Sequence, residues 1–519
     1  MSNHFEYITT AIVYPNARIH LGFAWECIAA DWLARSHRVM GRKTRFVTGM
    51  DVHSINVQKA AVAQNLAPIE YCKKMGLEIE AVLKSLDVQF DRFISTHDPD
   101  HQKVVQTLVQ RAFDSGDVYK AKYEGHYCEG CEEFKLEKDL IDGKCPNHKT
   151  VPKWISEENY FFKLSKYQDR LLQLFKENPE FLQPEHRKSE IINFIEAGLK
   201  DFSISRSTFD WGIPLPFDQK HIVYVWFDAL INYLTAAGFG SNEADFKKFW
   251  PASCHIVGKD ITRFHCIYWP AMLWSLGIEL PKKVFAHGFL SIRGDRMSKT
   301  TGNVIAPEDV LTVTGSDQLR YYLLAENNFG QDGNFAWDLM SKKVNADLAN
   351  DWGNLVNRTI NMVRKYFPSE TLTKPEKVTH SQEVTKEVID SFLKLKSELE
   401  TAIEEVNPMA YAQACTARSR VLNLYIDRTK PWGLAKTATP ESMAELREVL
   451  YTLMEGIRWV ASGLLPILPA KMPEVFKQLN VNVPEELGAV SQLEWGQGKF
   501  QPGEPSPIYP RIELPKELV

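Results

Sequence analysis

Two short runs of this chain carry side chains suited to polyphosphate chemistry. They are His20-Leu21-Gly22-Phe23 near the start and Arg296-Met297-Ser298-Lys299-Thr300 about 280 residues further on. An imidazole can donate to a phosphate oxygen, and a glycine where a strand gives way to a helix lets backbone approach a nucleotide closely. Arg296 and Lys299 add cations, with Gly294 and Gly302 on either side to let such a loop open and close. Taken alone, His20 reads as a surface histidine beside a helix cap, and the basic run as a solvated loop.

A third pattern is Cys128-x2-Cys131-x13-Cys145-x2-His148. Two close pairs on tight turns can present three thiolates and one imidazole tetrahedrally, which is the donor set of zinc. Four protein ligands leave no open position, so the expected ion is structural. The other cysteines, Cys27, Cys72, Cys254, Cys266 and Cys415, are scattered. They read as buried thiols of a protein kept in a reducing compartment.

The 519 residues are too many for one core and suggest three or four domains. Hydrophobic residues at 44% and charged residues at 24% are ordinary globular values. A formal charge of -5 gives no global attraction to a polyanion, so any nucleic-acid contact must come from local patches and shape. The longest apolar stretches, such as residues 459–470, are about half a membrane span and contain prolines, which favours a core helix. Residues 1–12 lack the features of a secretion signal or transit peptide, so the expected location is the cytoplasm.

The elements that must position these residues can be read from periodicity. Residues 6–13 read as a strand, 23–40 as a helix closed by Gly41, and 44–48 as a second strand. This is a parallel β-α-β unit whose helix N-terminus favours phosphate. Residues of about 116–215 break the rhythm before strand-like runs return at 222–227, 254–258 and 284–287. After about residue 340 the pattern turns helical. Val344, Leu348, Trp352, Leu355, Thr359 and Met362 recur at spacings of four and three, as do Val388, Phe392, Leu395, Leu399 and Ile403. Residues 371–380 read as an exposed connection, and the tail from Pro502 as an irregular strap.

Around the phosphate runs lie AIVYPN at 11–16, Asp51-Val52-His53, IVYVWFD at 222–228, Gly258-Lys259-Asp260 and Phe264-His265. This ordered set resembles the class I aminoacyl-tRNA synthetases and, among them, the single-zinc-knuckle methionyl-tRNA synthetases. The resemblance covers the chain to about residue 480. It implies an α/β fold in which a Rossmann-type parallel-sheet catalytic domain is split by a zinc-binding insertion and followed by an α-helical anticodon-binding bundle. The implied spans are 1–115 and 216–285 for the halves of the catalytic domain, and 116–215 for the insertion. Residues 286–340 would form the region of the KMSKS loop and stem contact, and 341–519 the anticodon-binding domain with its strap.

The same resemblance implies roles. His20 through Phe23 match the HIGH signature and Arg296 through Thr300 the KMSKS signature, which makes His20 and Lys299 catalytic. ATP would meet His20, Gly22, Glu26, Gly258, Asp260, Arg296, Met297, Ser298 and Lys299, with Mg2+ accompanying it. Ala11, Ile12, Tyr14, Trp226, Ala229, Tyr233 and His265 would form the methionine slot, and Asp51 would meet the substrate ammonium. Taken singly, Trp226 or Tyr233 reads as plain core. Asn354, Arg358 and Trp432 match the positions that read the anticodon. Cys128, Cys131, Cys145 and His148 would hold one Zn2+. The chain departs from the family pattern at Phe23, which replaces a histidine, at Leu230, and at Val52 and Ser54.

The implied activity is ATP-dependent methionine-tRNA ligation by a monomer with L-methionine, ATP and tRNA(Met) as partners. No protein nucleophile is required, since the amino-acid carboxylate itself attacks the α-phosphorus. Two rivals stand beside this reading: a class I synthetase for another amino acid, and a catalytically weak zinc-bearing RNA-binding paralogue for which Phe23 is the best support.

Overall fold

The computed structural model describes residues 4–128, 133–135, 137, 140–146, 149–207, 209–296, 304–376, 382–515 and 518. Its centre is a six-stranded sheet built from β1 (Phe5–Thr10), β2 (Lys43–Met50), β3 (Arg92–Ser95), β4 (Leu182–Gln183), β5 (Cys254–Gly258) and β6 (Val284–His287). The strands lie in the order β3-β2-β1-β5-β6-β4, and all five pairings are parallel. Such sheets are covered on both faces, which is why β5 is buried at every residue and β1 at all but its first. From β1 the chain turns to β2 on one side, and later returns through β5 on the other. The crevice beyond the carboxyl ends of β1 and β5 is therefore the topological switch point, where ligands bind in such folds.

Helix α1 (Leu21–Val39) crosses from β1 to β2 and is buried over most of its surface. Gly41 ends it with a φ of +87°, a conformation that suits glycine alone. Gly49 is required for a different reason, because a Cβ there would come within 2.0 Å of the Ile94 carbonyl oxygen on β3.

The insertion carries its own antiparallel sheet, in which Val118–Cys128 pairs with Lys153–Phe162 and is flanked by Glu133–Lys135 and Phe202–Ser203. β4 falls inside the span expected for the insertion yet pairs with β6 in the parallel sheet. Two residues are too few to show a period. The run at 222–227, expected as a strand, is a strand only over Ile222–Val223 and then becomes helix α2 (Val225–Leu230), continued by α3 (Asn232–Ala237). A short apolar run cannot distinguish a buried strand from a buried helix. The difference matters, because a helix places Trp226, Ala229, Leu230 and Tyr233 at i, i+3, i+4 and i+7 on one face.

The C-terminal third is helical, with Val344, Leu348, Trp352 and Leu355 buried as their spacing predicts. Residues Asn345–Gly353 form a π-helical stretch, whose wider turn suits the spacing of four between Val344, Leu348 and Trp352. Arg320 pins this region to the sheet domain. Its fully buried guanidinium donates to Asp31 Oδ2 on α1 at 2.6 Å and to the carbonyls of Leu86, Pro466 and Ile467. Leu372, in the connection expected to be exposed, is buried and bridged to Phe500 by reciprocal backbone bonds. The irregular tail packs through Ile508, Tyr509 and Ile512, and the Tyr509 hydroxyl donates to Asp317. No described helix is long and apolar enough to cross a membrane.

Candidate active site

At the switch point lies a cavity of about 450 Å³. Its walls include all eight residues expected for the methionine slot: Ala11, Ile12, Tyr14, Asp51, Trp226, Ala229, Tyr233 and His265. His20 and Asp260 open onto it as well, together with Val13, Phe23, Leu230, Asn232, Ile261 and Phe264. A larger cavity of about 650 Å³ lies between the opposite end of the sheet and the helical bundle, and none of the expected site residues lines it.

The convergence follows from the sheet. Ala11 continues β1 and Asp51 continues β2, and the two are held together because Val13 N–H donates to Gly49 O and Asp51 N–H to Val13 O. Ala11 N–H is shared between Ile256 O on β5 at 3.2 Å and Glu26 Oε1 on α1 at 3.0 Å. One face of α2 and α3 forms another wall, where Trp226 stacks on Phe264 with ring centroids 3.6 Å apart.

Two neutral groups form the inner end. His265 Nδ1 lies 3.0 Å from Ile261 O, an acceptor only, so the ring proton is on Nδ1 and Nε2 accepts from the Tyr233 hydroxyl at 2.7 Å. Burial lowers the His265 pKa to about 4 and pushes the Tyr233 phenol well above its ordinary value. The end of the cavity is thus uncharged at neutral pH and its one hydroxyl proton is committed. An apolar, polarisable side chain can enter without losing hydrogen bonds to water, whereas a charged one would be stranded.

His20 is itself the N-cap of α1. Its Nδ1 accepts from the amides of Gly22 at 3.1 Å and Phe23 at 3.3 Å, which leaves the ring proton on Nε2. The cap and the phosphate-donor readings are therefore compatible in one side chain. Phe23 is buried, packs in the main core and borders the cavity, so the histidine it replaces is not missed by the packing.

Glu26 and Gly258 do not line the cavity but adjoin residues that do, Ala11 and Asp260. Glu26 uses both oxygens internally, accepting from Ala11 N–H and facing His287 Nε2 at 2.7 Å. A Cβ on Gly258 would lie 2.7 Å from Asp260 Oδ1, so glycine is needed for Asp260 to fold back over the end of β5. Lys259 turns away to both oxygens of Asp332 at 2.7 Å. Asp332 also accepts from Phe289 N–H, which fixes the entry to the hairpin leading into the second phosphate run. Gly294, expected to let that loop move, is a turn residue at φ +89° whose amide donates to Asn334.

Comparison with known proteins identifies the family. The family model described as tRNA synthetases class I (M) matches residues 6–151 and 135–360. The methionine--tRNA ligase of Clostridium acetobutylicum is 44% identical over 517 residues, spanning 99% of this chain and 79% of that protein. The chain belongs to the class I methionyl-tRNA synthetases. The methionine--tRNA ligase of Bacillus subtilis is 42% identical over 534 residues, with 99% and 79% covered. Among solved structures, Mycobacterium tuberculosis methionyl-tRNA synthetase in complex with methionyl-adenylate superposes with a TM-score of 0.92 at 36% identity, covering 98% of this chain and 100% of that one. The apo form of the same enzyme gives 0.85 at 35% identity, with 99% of each chain covered.

Other described residues expected from the methionyl-tRNA synthetase pattern do not line the cavity. Arg296 pairs with Ser291 in the hairpin, while Met297, Ser298 and Lys299 lie outside the described residues. Asn354 and Arg358 share an exposed face of the helix Asn354–Tyr366, and Trp432, 47% exposed, rises from the separate helix Pro431–Thr437. Cys128 and Cys145 are buried, while Cys131 and His148 lie outside the described residues. Among the described residues no group of three or more His, Cys, Asp or Glu gathers as a metal site.

Sequence reasoning named Phe264 in the motif series but gave it no role, though it stacks on Trp226, and it missed His287, which sits 261 residues from its partner Glu26. The adjacency of Phe264 to His265 was the available signal for the first. Nothing local points to the second.

Proposed function

We propose that the protein activates L-methionine with ATP to methionyl-adenylate, releasing pyrophosphate, and then transfers methionine to the 3′ terminal adenosine of tRNA(Met). The observation that carries this is the convergence of the eight slot residues on one cavity with a neutral Tyr233–His265 end, opening toward His20 at the N-terminus of α1. The methionine side chain occupies that cavity and its ammonium faces Asp51. Its carboxylate attacks the α-phosphorus in line, forming the C–O–P anhydride as the bond to pyrophosphate breaks. The ribose hydroxyl of the tRNA terminus then attacks the methionyl carbonyl and AMP leaves. Placement and charge stabilisation suffice for both steps.

His20 donates from Nε2 to the phosphates, and Lys299 meets the charge that builds as pyrophosphate departs. Gly22, Arg296, Met297 and Ser298 complete the phosphate contacts, while Gly258 and Asp260 receive the adenosine. Glu26 acts through Ala11 and His287, to which its oxygens are committed. Magnesium accompanying ATP supplies further neutralisation of the phosphates. Asn354, Arg358 and Trp432 read the anticodon, with the exposed indole offering a face on which an unpaired base can stack.

Cys128, Cys131, Cys145 and His148 hold a structural zinc. Two features fit it. Both described thiols are buried, and Cys145 opens a tight turn closed by Lys149 N–H donating to its carbonyl at 2.8 Å. The protein works as a monomer in the cytoplasm. The deciding experiment is amino-acid-dependent ATP–pyrophosphate exchange without tRNA, with methionine set against leucine, valine, cysteine and homocysteine. Exchange with methionine alone is expected, and exchange with none would move the RNA-binding reading to first place.

A further inference from the structure

Asp228 sits between Trp226 and Ala229 but faces away from the cavity they line. It is fully buried, and both carboxylate oxygens are taken by imidazoles at 2.7 Å, Oδ2 by His53 Nδ1 and Oδ1 by His101 Nε2. His53 Nε2 lies 3.0 Å from His97 Nδ1, and the His97 ring stacks on Trp211 at 5.0 Å and 19°. Trp211 comes from the end of the insertion, and its indole N–H donates to Val52 O at 2.6 Å. The other side of the Val52 peptide is held too, since Val52 N–H donates to Thr96 Oγ1 at 3.0 Å, and Thr96 Oγ1 lies 3.5 Å from Asp51 Oδ1.

A continuous set of contacts thus runs from the insertion to the peptide that follows Asp51. Val52 is clamped at its amide by Thr96, which also reaches Asp51, and at its carbonyl by Trp211, so the direction in which Asp51 enters the cavity is set in part through its neighbour. Six of the residues, Asp51, His53, Thr96, His97, His101 and Asp228, are polar groups at least partly withdrawn from water.

We propose that Trp211, seated by His97 and the His53–Asp228–His101 cluster, is a positioning residue that aims Asp51 at the substrate ammonium and so couples the insertion to amino-acid recognition. This rests on the proposed methionine activation. The ammonium keeps its charge from ground state to transition state, so its contact contributes uniformly to both. Loss of that contact raises KM and leaves kcat nearly unchanged.

The test is Trp211→Phe, which keeps a ring against His97 and removes the N–H. Methionine-dependent pyrophosphate exchange is measured beside inhibition by methioninol, which has the ammonium, and by 4-(methylthio)butanoate, which lacks it. The expected result is a rise of about tenfold in the methionine KM and the methioninol Ki. The butanoate Ki, the ATP KM and kcat should stay within about threefold. An equal rise for both inhibitors, or no rise for either, overturns the inference. Should Trp211→Phe fail to fold, His97→Phe keeps the stack, cuts the link to His53 and is read by the same ratio. Wild-type protein that shows no methionine-dependent exchange overturns the proposed function instead, so the two failures are distinct.

Discussion

Glu26 Oε2 and His287 Nε2 face each other across a buried contact of 2.7 Å. His287 Nδ1 lies 2.7 Å from Gly288 O and must donate to it, so a proton in the 2.7 Å contact between Nε2 and Glu26 Oε2 belongs either to a neutral acid or to an imidazolium. Burial raises the Glu26 pKa above its ordinary 4.5, opposed by His287, which favours the neutral acid more than in water.

Glu26→Gln mimics the protonated pair, since its amide can accept from Ala11 and donate to His287. A carboxyl whose folded pKa is raised adds stability that is complete below the unfolded value and is lost as pH climbs through the folded one. The stability of wild type relative to Glu26→Gln should therefore fall as pH rises above about 4.5. Thermal midpoints of the two proteins across pH 4.5 to 7.5 check this, and parallel curves would sink it.

The Tyr233–His265 end of the cavity has the opposite sign. With a folded pKa of about 4 against an ordinary 6.5, His265 refuses a proton that the unfolded chain accepts. The stability tied to its neutral form is complete above pH 6.5 and declines toward pH 4, by an amount on the order of 3 kcal/mol. His265→Phe should flatten that part of the acid-unfolding profile.

Tyr233→Phe leaves His265 Nε2 without its donor inside the cavity. An unsatisfied buried acceptor costs about 1–3 kcal/mol, so kcat/KM for methionine in exchange should fall about ten- to a hundredfold. A change confined to the ATP KM would place Tyr233 outside the amino-acid site.

Much of this site could be read from the sequence because its residues follow the strands that carry them. Ala11, Asp51 and Gly258 stand at or just beyond the carboxyl ends of β1, β2 and β5, and a parallel sheet gathers those ends at one edge whatever the intervening loops do. The conformation around Trp226 was less legible, because a buried apolar run fits either period. The π-helical turn Phe264–Tyr268, which carries His265, has no period signature of its own. Pairings across long stretches of chain, such as Asp228 with His53 and His101, depend on tertiary contact alone and leave no local mark.

The proposed zinc site can be judged by metal content and amide exchange together. Purified protein should contain one zinc per chain, and Cys145→Ser should lose it. Because the start of the strand Lys153–Phe162 pairs with the end of Val118–Cys128, the same change should expose residues 153–157 to faster amide exchange while β1 and β5 stay protected. Full zinc retention in Cys145→Ser would remove that residue from the ligand set.

The proposed reaction gives His20 a second duty beside its N-cap, and substitution can separate the two. As N-cap, its Nδ1 serves the amides of Gly22 and Phe23, and asparagine is among the best residues for that task. As phosphate donor it offers Nε2–H, which asparagine at the cap cannot reach out to replace. His20→Asn should thus keep thermal stability within about 0.5 kcal/mol of wild type, whereas His20→Ala should lose about 1 kcal/mol. Both should lower kcat for exchange by about ten- to a hundredfold, the effect expected for one charge-assisted donor to the reacting phosphates. If His20→Asn restored activity along with stability, the imidazole would be a cap alone, and the phosphate charge would have to be met by Lys299 and the metal without it.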